Sequence, residues 1–183
     1  MWERSHIQPK VHNVNDEDNG KMKGGAAQVK LLDLQGYASP EDSKTHIRIP
    51  FELDEGCGKL NLRLQYAPKT LENREKAVQL LKNSYDLYIL PENRKYAMEN
   101  ADRHLPLKNL MTLSLDDARG YRGACHRQDE LQELFVSERE ASPGLMAGEL
   151  VPGPWSVTLS LHCIVTDTCD YHLQIWTTEE DAI

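Results

Sequence analysis

Residues 116–127 read DDARGYRGACHR, which places two carboxylates, three arginines, a phenol, a thiol and an imidazole in one short stretch. Guanidinium forks beside a tyrosine hydroxyl and an imidazole are the groups that hold a polar or anionic ligand. Asp116, Asp117, Tyr121, Arg122, His126 and Arg127 are therefore the candidate residues for binding a ligand or a partner. The same composition also builds a long turn. Asp116 and Asp117 can cap backbone amides, Gly120 and Gly123 can supply positive φ, and the arginines can pair with Glu138 and Glu140 of the next turn.

Nucleophilic and metal chemistry fit the spacing less well. Cys125 and His126 are adjacent, and neighbours on a strand point to opposite faces, so a thiol–imidazole dyad needs His104, His162 or His172 to arrive from elsewhere. Cys163, Cys169 and His172 offer three zinc ligands, with Cys125 or His126 as a fourth, but no C-x-x-C or H-x-H pair supports them. Cys163 reads instead as a small hydrophobe on the inward side of its strand. No catalytic residue, metal ligand or cofactor is assigned. Trp155, after Pro152-Gly153-Pro154, and Trp176, facing outward, offer a platform for sugar stacking; alternatively, such a tryptophan closes one end of a core.

The elements that must position these groups are strands. Ile47, Ile49, Phe51 and Leu53 alternate with His46, Arg48 and Glu52, and Pro50, which cannot donate to a ladder, puts that strand at a sheet edge or breaks it there. After a turn at residues 54–58, Leu60, Leu62, Leu64 and Tyr66 alternate with Asn61, Arg63 and Gln65, which predicts a strand antiparallel to its predecessor. The pattern returns at Met111, Leu113 and Leu115, at Val157 through Val165, and at Tyr171, Leu173 and Ile175. Between the second and third strands, residues 70–103 have helical spacing, with Thr70 as an N-cap and Pro91 in the first turn of a second helix. Short alternating strands with turn signals predict a mainly β fold, an antiparallel β-sandwich of jelly-roll type with a helical insertion at 70–103. Residues 28–183 read as one domain. Residues 1–27 are polar, without a period, and read as a flexible arm.

Composition narrows the partners. With 29 acidic and 21 basic side chains the net charge is -8, which disfavours nucleic acid and anionic membrane surfaces. No apolar run approaches the roughly 20 residues of a membrane helix, and the N-terminus lacks a signal-peptide pattern, so the expected location is the cytoplasm. The four cysteines then read as reduced thiols. Oligomeric state is left open.

Five pieces in order, RIPFEL, LRLQYAPK, NLMTLSLDDARGYRGACHR, SEREASPG and LVPGPWSVTLSLH, carry a resemblance over residues 45–176. They resemble the domain that precedes the catalytic domain in metal-dependent hydrolases of the PHP superfamily, CehA/McbA-like branch. The resemblance implies an accessory β-sandwich beside a domain that binds metal ions through His, Asp and Glu and cleaves phosphate or other esters. The Gly-Asp-Leu-His-x-His signature expected after Trp176 does not occur in these 183 residues, so no family metal ligand can be placed on this sequence. His126, His162 and His172 belong to the sandwich. The expectation is a non-catalytic accessory or interaction domain that binds a PHP-type hydrolase or a small polar ligand through residues 116–127. The alternatives are a carbohydrate-binding module and a small metal-dependent hydrolase.

Overall fold

The computed structural model describes residues 12–13 and 28–179, which form two antiparallel sheets and two α-helices. In the first sheet the spatial order is β1 (His12–Asn13), β2 (Gln28–Ala38), β9 (Cys169–Thr178), β4 (Lys59–Ala67) and β7 (Leu131–Ser137). In the second it is β3 (Thr45–Leu53), β8 (Gly153–Cys163), β5 (Leu110–Asp117) and β6 (Gly120–Cys125). The pairings are nested: β5 with β6, β4 with β7, β3 with β8 and β2 with β9. A long antiparallel ribbon rolled into two sheets in this way is a jelly roll. Of the segment read as a flexible arm, residues 1–27, only the two residues of β1 are described; the rest lies outside the described residues.

Period-two alternation positions the core. In β3, Ile47, Ile49, Phe51 and Leu53 are buried while His46, Arg48, Pro50 and Glu52 are exposed, and β3 is an edge strand, where the missing N–H of Pro50 is tolerated. Leu60, Leu62 and Leu64 of β4 meet Met111, Leu113 and Leu115 of β5 and Leu159 and Leu161 of β8 in one core, each at most 1% exposed. The turn at residues 54–58 does not make a hairpin, contrary to the expectation. It carries the chain from the second sheet to the first, and β4 pairs with β7 and β9 instead of β3.

Cys163 is also misplaced by simple alternation. Leu110 stands opposite Cys163 and Met111 opposite Leu161, so His162 is an extra residue in the ladder. Such a bulge shifts the phase of everything beyond it, and Cys163 is exposed rather than buried.

The insertion consists of α1 (Arg74–Tyr88) and α2 (Pro91–Glu99), followed by a 3-10 turn at Ala101–His104. Asn73, not Thr70, caps α1, its side chain accepting from the Lys76 amide at 3.0 Å, while Pro91 opens α2 as expected. A small cluster of Leu71, Ala77 and Val165 ties the base of the insertion to the β8–β9 connection. Asn109 is fully buried there. It donates to the Pro68 carbonyl and the Thr166 hydroxyl at 2.7 Å each and accepts from the Val165 amide at 2.7 Å.

Candidate functional site

The arginine-rich segment is a β-hairpin, not an open loop. Asp117 Oδ1 accepts from the amides of Arg119 (2.7 Å) and Gly120 (2.9 Å), and Gly120 takes φ 128°, so a two-residue turn joins β5 to β6. Next to the turn the ladder slips: Leu115 faces Gly123 and Asp116 faces Tyr121, which leaves Arg122 as the extra residue. The bulge turns Arg122 inward, and it is 9% exposed.

Each N–H of its guanidinium has an acceptor within the protein. Nε donates to the Met146 carbonyl at 3.3 Å. Nη1 reaches Asp117 Oδ2 and the Glu149 carbonyl, both at 2.9 Å, and Nη2 reaches the Met146 and Gly148 carbonyls at 3.0 and 3.1 Å. The guanidinium carbon also lies 5.3 Å from the centre of the Trp155 ring. With five donors engaged, Arg122 has none left for a ligand. Burial by itself would raise the Asp117 carboxyl, but Arg122 and the two turn amides outweigh it and hold Asp117 below the ordinary value.

Arg122 thereby fastens the connection before β8 along β6. The Ala124 amide donates to the Gly144 carbonyl at 3.0 Å, and the Met146 amide to the Arg122 carbonyl at 2.9 Å. Contact is close enough to exclude side chains: a Cβ on Gly123, whose φ is +114°, would sit 2.2 Å from the Gly144 oxygen. Trp155 closes the end of the core beneath this lid, 2% exposed, with its indole N–H donating to the Val151 carbonyl at 2.7 Å. It is not available as a platform for sugars; Trp176 does lie on the outer face of the first sheet.

The candidate residues thus separate into two groups. Asp117 and Arg122 come together as a buried pair, whereas Tyr121 is 59% exposed, His126 is exposed, and Asp116 and Arg127 are half-buried. His126 lies near His162, ring centres 6.2 Å apart, on the outer side of the second sheet. Arg119 reaches Glu149 at 2.8 Å rather than Glu138 or Glu140. The residues considered for zinc are dispersed. Cys169 is fully buried, with burial pushing its thiol up to about 11, Cys163 is exposed, and His172 pairs with Asp33 at 2.6 Å. Among the described residues no group of three or more His, Cys, Asp or Glu side chains is arranged to hold a metal ion.

A polar surface on the first sheet escaped sequence reasoning because β2 was not read as a strand. Gln35, Tyr37, Gln65, Asp170 and His172 line a depression of about 430 Å³. Asp33 beside it accepts from Gln174 at 3.2 Å and bonds to His172; burial would raise its carboxyl, but these contacts outweigh it and lower it. The alternation of Asp33, Gln35 and Tyr37 was the available signal.

No protein-family model matches the chain, and no curated protein matches it in sequence. Fold and contacts define a jelly-roll sandwich whose arginine-bearing hairpin is built into its framework. Among the described residues no helix is long and apolar enough to cross a membrane.

Proposed function

We propose that the chain is a non-catalytic interaction domain, related to the jelly-roll domain that precedes the catalytic domain in PHP-superfamily hydrolases, and that it binds a catalytic partner in the cytoplasm. One observation carries this reading. The pieces of sequence that support the resemblance, RGYRGACHR, SEREASPG and LVPGPW, lie apart in the chain but meet around Arg122, Gly123, Gly144 and Trp155. Their residue types serve one another's contacts, which supports reading the shared pieces as the framework of a domain. The exposed part of the hairpin, Tyr121 and His126 with Asp116 and Arg127 beside them, is the surface offered to the partner. Asp117 and Arg122 hold that surface in shape.

Titration of the purified chain with a separately expressed PHP-type catalytic domain, followed by calorimetry, tests the reading. Saturable binding weakened by Tyr121→Ala supports it. Metal-dependent phosphomonoester or phosphodiester turnover by the chain alone, lost on chelation, overturns it.

A second reading, carbohydrate binding, is favoured by the outer face of the first sheet, where Gln35, Tyr37, Gln65 and His172, the last paired with Asp33, line one depression. Glycan binding that is lost in Gln65→Ala and retained in Tyr121→Ala would favour it over the first.

A further inference from the structure

The α1–α2 hairpin enters the core through the first part of α1, and at its far end the Lys44 ammonium lies 5.8 Å from the centre of the Tyr88 ring. Ala77 and Leu81 are the buried residues of α1, neither beyond its midpoint, and α2 has none. Its far end is nevertheless well formed: Arg94 donates to the carbonyls of Ile89 (3.0 Å) and Asp86 (2.8 Å) and pairs with the Asp86 carboxylate at 3.3 Å. On this ordered corner Leu87, Tyr88, Leu90 and Tyr96 are 76%, 73%, 64% and 67% exposed. Beside them a cleft of about 340 Å³, lined by Tyr85, Ile89, Tyr96 and Ala97, opens between the helices. Large apolar groups concentrated on one rigid corner, with the cleft as a socket, have the form of an interaction surface.

Charge and area identify the occupant. Residues 71–104 carry six acidic and six basic side chains, so the whole net charge of -8 resides on the rest of the chain. Two identical acidic molecules repel each other over most orientations, and the neutral hairpin is where they approach without that cost. An aromatic side chain buries on the order of 150 to 250 Å², so the two tyrosines, together with the smaller Leu87, Leu90 and half-buried Ile89, approach the ~800 Å² that a standard interface covers on each partner. Self-complementary contact about a two-fold axis also lets the apolar side chains of each copy enter the cleft of the other.

We propose that the far end of the α1–α2 hairpin is a homodimer interface, with Leu87, Tyr88, Leu90 and Tyr96 as its apolar centre. The proposal is independent of the reading of the β5–β6 hairpin, which lies on a different element.

Sedimentation velocity of the full chain over a wide concentration range tests it. The expected result is a species of twice the 20.9 kDa chain mass that persists at high salt and becomes monomeric in the Leu87→Asp/Leu90→Asp variant. Because both positions are exposed in the single chain, the unfolding midpoint of the variant should equal that of the wild type at concentrations where the wild type is dissociated, and fall below it only where the wild type is dimeric. Hydrogen exchange of the wild type should show protection of residues 85–98 that disappears on dilution, which needs no variant to fold. A wild type that is monomeric at every concentration overturns the proposal and assigns the patch to a different partner. A dimer without dilution-sensitive protection at 85–98 also overturns it, by placing the interface elsewhere.

Discussion

Arg122 Nη1 lies 2.9 Å from Asp117 Oδ2, in a pair where the guanidinium side chain is 11% and the carboxylate side chain 2% exposed. Two residues that looked like the start of a binding site bind each other. The remaining donors of Arg122 hold three carbonyls of the connection that leads into β8, so the pair joins a hairpin, a loop and the Trp155 end of the core. Paired and fully hydrogen-bonded charges can stay buried; removing one partner leaves the other unpaired.

Arg122→Ala should therefore cost about 3 to 5 kcal/mol of stability in urea unfolding. Arg122→Lys should recover little, since an ammonium cannot reproduce the five-donor fork. His126→Ala, at an exposed position, should stay within ~0.5 kcal/mol of the wild type. A stable Arg122→Ala protein would refute the framework role.

Gly123→Ala and Gly56→Ala separate conformational strain from collision. Both glycines have positive φ, but a Cβ at Gly56 meets nothing within 4 Å, while at Gly123 it meets backbone at 2.2 Å. Gly56→Ala should cost only the ~1 to 2 kcal/mol of a left-handed residue. Gly123→Ala should cost clearly more, because a carbonyl cannot swing aside as a side-chain tip can. Thermal unfolding midpoints of the two variants provide the comparison.

Acid should weaken the fold in two steps. Burial, and then the nearby charges of His126 and His46, lower His162 from its ordinary 6.5, so the unfolded chain takes up that proton first and stability falls as pH drops below about 6.5. Asp117 is also lowered; its contribution is complete above the ordinary 3.8 and is lost as pH falls through its folded value. Unfolding free energy measured against pH should lose the upper step in His162→Gln, while Asp117→Asn should shrink the lower step, to which the likewise lowered Asp33 also contributes.

Thiol accessibility should follow the bulge at His162 and not the alternation of the sequence. Cys163 is expected to react with an aromatic disulfide reagent in the native protein, while Cys125 and Cys169, 1% and 0% exposed, react only after unfolding. Mass spectrometry of the labelled peptides identifies the sites. Protection of Cys163 would contradict the register of β8.

Asn109→Leu should destabilise by about 2 to 4 kcal/mol, since it leaves the Pro68 carbonyl and the Val165 amide without their buried partner. Amide exchange should rise in the stem of the insertion around residues 68–71 and 107–109. A uniform change across the sandwich would mean that Asn109 serves the core in general and not the stem.

The sequence by itself determined the sandwich and its helical insertion, because burial in β3, β4 and β9 follows strict alternation, a local property that needs no knowledge of the neighbouring strand. It also placed Trp176 outward and Pro91 at a helix start. The tertiary structure alone decided the rest. Register slips at Leu31, Arg122 and His162 each add one residue to a ladder, and an added residue has a position only relative to the strand it faces. Those slips obscured β2, turned Arg122 inward and turned Cys163 outward. β7 was obscured for another reason, since it buries Gln132, whose amide donates to the Met111 carbonyl at 3.1 Å, among apolar neighbours. The roles of Asp117 and Arg122 were undetermined for the same physical reason: five donors point to a ligand or a framework according to which carbonyls come within reach, and residues 146–149 reach them only when the ribbon is rolled up.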